Sequence, residues 1–158
     1  MRVIGIDPGT ATTGFGVIDI LKNKPYYVSA GVIVTDKKLS DSERLLEIAD
    51  SIKKLIKRFK PQVLVLEKVF FSKNVKTAIT VAQARGAILV IAENSKLKIL
   101  ECSPQDVKMS VTGYGRADKK QIQKMVQTLL NLKSIPKPDD AADALAAALT
   151  ANSKLRLL

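Results

Sequence analysis

Two short apolar runs in this 158-residue chain each close in a single carboxylate: Val3-Ile4-Gly5-Ile6 ends in Asp7, and Val63-Leu64-Val65-Leu66 ends in Glu67. In open α/β sheets, sites form at the carboxyl ends of strands. A further pair, Asp140 and Asp143, stands three residues apart in DDAADALAAAL, a spacing that puts both on one face of an alanine-rich helix able to lie close to a sheet. If the four acids converge, their charges repel, and some stay protonated unless a cation lies among them. Oxygen donors suit magnesium or manganese, which keep several waters and accept phosphate oxygens as further ligands. Two such ions about 4 Å apart would clamp the attacking water and the leaving 3′ oxygen of an in-line displacement. The chemistry implied is phosphodiester hydrolysis assisted by Mg2+, with Mn2+ as a substitute and one or two ions per subunit.

Each acid also has a plainer use. Asp7 before Pro8-Gly9 could start a turn, Glu67 could end a strand at the surface, and Asp139 and Asp140 suit the first turn of a helix. Asp143, inside an alanine-rich face, has few structural excuses. The joint arrangement favours a metal site. With no histidine and one cysteine, every histidine-containing metal site, every histidine-based triad and any intrachain disulfide is excluded, leaving carboxylates, lysines and hydroxyls as catalysts.

Net charge is +11 with a pI near 9.8. Residues 1–50 carry six Lys/Arg against seven Asp/Glu, whereas residues 51–158 carry twenty against eight, so the surplus lies in the last two thirds. Such a surplus points to a polyanion such as nucleic acid, with solubility as the simpler explanation.

The elements that must position these groups are legible along the chain. Residues 2–7 read as a buried strand; Phe15–Ile20 and Tyr26–Thr35 read as two more, joined by a Lys22-Asn23-Lys24-Pro25 turn into an antiparallel meander. From Asp41 the apolar residues follow a helical period up to Phe59, with Ser40 and Glu43 placed as a capping box and Pro61 beyond the end. Val63–Glu67 and Leu97–Glu101 read as strands, and residues 77–94 as a helix apolar on most sides, suited to the core or to a dimer surface. Ser103-Pro104 opens a helix that Gly113-Tyr114-Gly115 breaks, Asp118 caps the next, and the last starts near Asp139. The order βββαβαβααα describes an α/β fold with a mixed five-stranded sheet, a three-strand antiparallel meander plus two parallel strands, and helices on both faces. Length and the lack of linkers or repeats favour one domain over residues 1–158. The longest apolar run, Ala87–Ala92, is far short of the roughly 20 residues of a membrane span, and an acid comes too early for a signal peptide. A cytoplasmic location without membrane contact is expected.

Two basic regions are placed to hold phosphates. Lys68, Lys73 and Lys76 follow directly on Glu67, together with Phe70 and Phe71, and an aromatic in a basic loop can stack on an unpaired base. The second comprises Lys108, Arg116, Lys119, Lys120 and Lys124 around the Gly113-Tyr114-Gly115 loop. Lys53, Lys54, Lys57 and Arg58 suit a solvated helix face. Cys102 reads as a buried small hydrophobe.

Four segments, GIDPGTATTGFGVI, VLVLEKVFFSKN with AQARGAIL, PQDVKMSVTGYGRADKKQIQKMV and DDAADALAAAL, together resemble the bacterial RuvC Holliday junction resolvases of the RNase H-like superfamily, in order and over nearly the whole chain. The resemblance implies an RNase H-like fold and a homodimer that binds four-way DNA junctions and nicks two strands of like polarity at symmetric points, leaving 5′-phosphate and 3′-hydroxyl ends. It further implies Asp7, Glu67, Asp140 and Asp143 as catalytic carboxylates and metal ligands, Asp140 being chosen over Asp139 by the DAAD spacing. Phe70 matches the family's junction-facing aromatic, Lys108 and Lys119 its functional basic residues, and the RuvA and RuvB branch-migration proteins are the implied partners. Many members carry histidines just after the last motif, where this chain reads AALTANSK.

Three other readings compete. An RNase H-like nuclease of the YqgF type, acting on RNA, shares the DPG opening but leaves the Phe70 loop and the DDAAD helix unexplained together. A non-catalytic nucleic-acid-binding module would use the charge and not the acids. An actin-like phosphotransferase needs two such halves around ATP, and 158 residues supply one.

Overall fold

The computed structural model describes residues 1–68 and 75–155, with side chains described from residue 77 onward in the second span. Ten elements follow in order: β1 (Arg2–Asp7), β2 (Thr12–Leu21), β3 (Lys24–Val34), α1 (Asp41–Phe59), β4 (Val63–Glu67), α2 (Val75–Asn94), β5 (Lys98–Cys102), α3 (Pro104–Thr112), α4 (Lys119–Leu129) and α5 (Asp139–Lys154). One sheet has the order β3-β2-β1-β4-β5. The β1–β2 and β2–β3 pairs are antiparallel, whereas β4 runs parallel to both β1 and β5.

The meander is longer than its apolar residues suggest. β2 starts at Thr12 rather than Phe15, and β3 at Lys24 rather than Tyr26, because the connecting turn is only Lys22-Asn23, both at positive φ (48° and 64°). That geometry matches the twist of a two-residue hairpin. Pro25 is tolerated inside β3 because β3 is the sheet edge. The helix caps follow the sequence: Ser40 with Glu43, Ser103 with Asp106 and Asp118 with Gln121 each form a reciprocal capping box.

Alternation along the parallel strands divides the core in two. Val3, Val63 and Val65 pack with Val107, Val111, Val126 and Leu145, so α3, α4 and α5 cover one face. Ile4, Ile6, Leu64 and Leu66 pack with Ile48, Ile52, Ala84 and Ile88, so α1 and α2 cover the other. Both faces of β1 and β4 are therefore apolar, as parallel strands between helical layers require. Two residues beyond Gly5 and Val65 respectively, Asp7 and Glu67 continue the α5 side of the sheet. α2 packs through Ala84, Ile88, Ile91 and Ala92 but leaves Ile79 and Val90 more than half exposed.

Candidate active site

The position of α5 is decided by glycines. A Cβ on Gly5 would run into the backbone at Ala144 and Ala148, one on Gly16 into Leu145, and one on Gly14 into the carbonyl of Asp140. Gly5 pairs with Gly16, and Gly14 pairs with Asp7 across the β1–β2 ladder. The helix thus lies on bare backbone, and the alanines on its own side, from Ala141 to Ala148, are buried. The loop between Asp7 and β2 is closed by threonine hydroxyls: Thr13 Oγ1 donates to Gly9 O (2.6 Å) and Thr35 Oγ1 to Thr10 O (2.6 Å).

This packing brings the four expected acids into one electrostatic neighbourhood. The Asp7 carboxyl is pushed up to about 7, first by burial and then by the charges of Asp143, Glu67 and Asp140. Glu67 is raised by burial and by Asp143. Asp143 is raised by burial, against the pull of Lys119. Asp7 therefore feels the charge of a group 136 positions away in sequence. Among the described residues no three or more His, Cys, Asp or Glu side chains are gathered closely enough to hold a metal ion as they stand; the acids are near enough for the charges of Asp143, Glu67 and Asp140 to act on Asp7, and they repel. Its donors are all carboxylate oxygens, the set that fits a hard divalent cation.

Lys119 is the cation that enters the cluster. Its Nζ lies 3.1 Å from Asp143 Oδ2 and 3.4 Å from Asp139 Oδ2, which raises its own pKa. Lys119 and Lys120 occupy the first turn of α4, the positive end of the helix, where cations are disfavoured. The two aspartates compensate Lys119. Asp139, set aside by the DAAD spacing, holds Lys119 and Lys137 rather than facing Asp7. Of the other expected DNA contacts, Arg116 and Lys120 are exposed and Lys108 is half-buried on α3. Phe70 and Lys73 lie outside the described residues, as does the side chain of Lys76. Cys102 is fully buried at the end of β5, and burial pushes its thiol up to about 12, so it is no nucleophile at neutral pH.

Two charged residues near the cluster were not singled out from the sequence. Arg85 of α2 donates from Nε to Glu67 O at 3.3 Å and from Nη2 to Glu101 Oε1, and Lys68 Nζ lies 3.8 Å from Glu101 Oε2. The available signal was one arginine in an otherwise apolar helix, which must find a partner where it is buried.

Residues 3–151 match the family described as crossover junction endodeoxyribonuclease RuvC. The chain belongs to the RuvC family. It is 53% identical over 150 residues to the RuvC of Fusobacterium nucleatum, covering 95% of this chain and 79% of that one. It is 51% identical over 148 residues to the RuvC of Thermosipho melanesiensis, covering 94% of each. Thermus thermophilus RuvC, solved in complex with a Holliday junction substrate, superposes with a TM-score of 0.93 at 34% identity, over 99% of this chain and 96% of that one. Nucleases of the RuvC family are metal-dependent. No helix among the described residues is long and apolar enough to cross a membrane.

Proposed function

We propose that this RuvC-family chain is a crossover junction endodeoxyribonuclease that resolves four-way DNA junctions by symmetric nicking of two strands of like polarity, in recombination and repair. The observation that carries the catalytic assignment is that Asp7 feels the charges of Asp143, Glu67 and Asp140 together, on top of its burial. These four carboxylates hold Mg2+, with Mn2+ as a substitute and one or two ions per subunit. When bound, such an ion neutralises charge on the scissile phosphate and makes a water acidic enough to attack.

The protein's own groups frame that chemistry. Asp7, Asp140 and Asp143 are fixed by the seating of α5 on β1 and β2, and Glu67 by the end of β4. Lys119, already against Asp143, supplies a positive charge for the phosphate in the transition state. Lys108, Arg116 and Lys120, with Lys73 and Lys76, bind flanking phosphates, and Phe70 stacks on a base at the crossover. The net charge of +11 supports the same reading, drawing the phosphate backbone to a rim around an acidic centre.

The whole chain, residues 1–158, acts as one nuclease domain in a cytoplasmic homodimer. A junction has approximate two-fold symmetry, which a C2 dimer with one site per subunit matches. The half-exposed Ile79 and Val90 of α2 support a dimer surface on that helix. RuvA and RuvB are the proposed partners, on family grounds.

The test uses Asp7→Asn and Asp143→Asn on a synthetic four-way junction. Binding persists and Mg2+-dependent nicking disappears; normal nicking by both variants would end the proposal. Competition between junction, linear duplex and structured RNA separates this reading from an RNA-processing nuclease.

A further inference from the structure

Glu67 has two faces to its surroundings. Its side chain continues the α5 side of β4, toward Asp7 and Asp143, while its carbonyl is approached from the α2 side by an arginine. Arg85 stands in the middle of α2, beside the fully buried Ala84 and three residues before the fully buried Ile88. Its side chain is only 20% exposed, and its guanidinium ends on two acceptors, Glu67 O and the Glu101 carboxylate. Glu101 is opposite Leu66 in the parallel β4–β5 ladder, and Cys102 is opposite Glu67. The following backbone is tied in as well, since Lys68 N donates to Cys102 O at 2.8 Å.

We propose that Arg85, held by Glu101, is a positioning residue that fixes the end of β4 and thereby aims the Glu67 carboxylate into the metal site. This rests on the reading of Glu67 as a metal ligand. The physical reason is the fork of the guanidinium. A strand's last residue lacks the full ladder that fixes residues inside the sheet, and its backbone sets where its side chain points. Two N–H groups of one planar, permanently charged head reach a main-chain carbonyl on β4 and a carboxylate on β5 together, so the strand ends move as one body. A lysine would keep the charge but present a single ammonium and could not hold both acceptors in one rigid geometry. Buried ligands of this kind depend on the groups that orient them, whose loss costs about 10- to 100-fold in metal affinity.

A purely structural role, in which Arg85 merely pins α2 to the sheet, predicts something different. It would lower stability and leave the metal affinity of the remaining folded protein unchanged. Lys68, 3.8 Å from Glu101 on the solvent side, supplies a second cation to the same carboxylate, so Glu101 is not left unpaired when Arg85 is shortened.

The experiment compares full-length Arg85→Lys and Glu101→Gln with the unaltered chain and with Glu67→Gln. Three quantities are read: the Mn2+ dissociation constant of the DNA-free protein by electron paramagnetic resonance of free Mn2+, the junction Kd in EDTA, and the thermal midpoint. For Arg85→Lys, Mn2+ binding weakens about 10-fold or more while junction Kd in EDTA stays within about twofold. Glu101→Gln shifts the same way by a smaller factor, and it is the variant that decides if Arg85→Lys does not fold. Unchanged Mn2+ affinity in the folded variants, with or without a lower thermal midpoint, would overturn the inference. If Glu67→Gln itself keeps normal Mn2+ affinity, the reading of Glu67 as a ligand fails instead, and the two failures are told apart by that one control.

Discussion

Gly14 lies directly against the backbone of Asp140, and it is also the residue paired with Asp7 across the β1–β2 ladder. One missing side chain therefore decides how near a carboxylate at the start of α5 can come to the carboxylate at the end of β1.

Filling that gap should separate the two acids. In Gly14→Ala the new methyl overlaps the Asp140 carbonyl, a main-chain atom that cannot rotate away. The expected cost is about 1 to 3 kcal/mol in a urea titration, with displacement of α5 and loss of Mg2+-dependent nicking. Full activity at full stability would show that the seating of α5 does not control the site.

Metal-free protein should lose stability as pH rises toward neutrality. The Asp7 carboxyl lies at about 7 in the folded chain against an ordinary value of 3.8, so the folded state holds a proton that the unfolded state has released. Its contribution is present below about pH 4 and lost as pH rises through 7, with a ceiling of roughly 4 kcal/mol. Asp19, Glu43, Asp106 and Asp139 are shifted downward and act in the acid limb, so the window from pH 5 to 8 isolates the raised group of acids. In EDTA, urea midpoints should fall from pH 5 to pH 8, and Asp7→Asn should flatten most of that slope. A flat profile in the unaltered protein would contradict the coupling.

Lys119→Met should affect catalysis far more than stability. The Lys119 side chain is 54% exposed, and ion pairs of that exposure contribute under about 1 kcal/mol. Removing a charge aimed at the developing phosphate charge costs about 100-fold in rate. Single-turnover nicking at saturating protein, beside a melting curve, distinguishes the two quantities.

Junction affinity should fall steeply with salt. With six to ten phosphate contacts, it drops about 10³- to 10⁵-fold between 50 and 200 mM. Neutralising Arg116 or Lys120, both exposed, should reduce the slope of log K against log salt by roughly one each. An unchanged slope in both would remove them from the phosphate-binding set.

The order of the ten elements, the capping box of Ser40 with Glu43, the N-caps Ser103 and Asp118 and both strand-end acids were legible in the sequence, because caps, apolar periods and strand length act over a few residues. The start of β2 at Thr12 and of β3 at Lys24 was not legible from the apolar pattern, since extension there is set by pairing with a neighbouring strand and by a two-residue turn. The DAAD spacing alone placed Asp140 and Asp143 on one helical face. That this face comes to Asp7 was decided by bare glycine backbone on two strands meeting alanines on a helix more than a hundred residues away, a contact that only packing brings about. The same holds for Lys119 against Asp143 and for Arg85 behind Glu67. Charge and buried polar groups carry no sequence distance with them, so their partners are chosen by the tertiary fold.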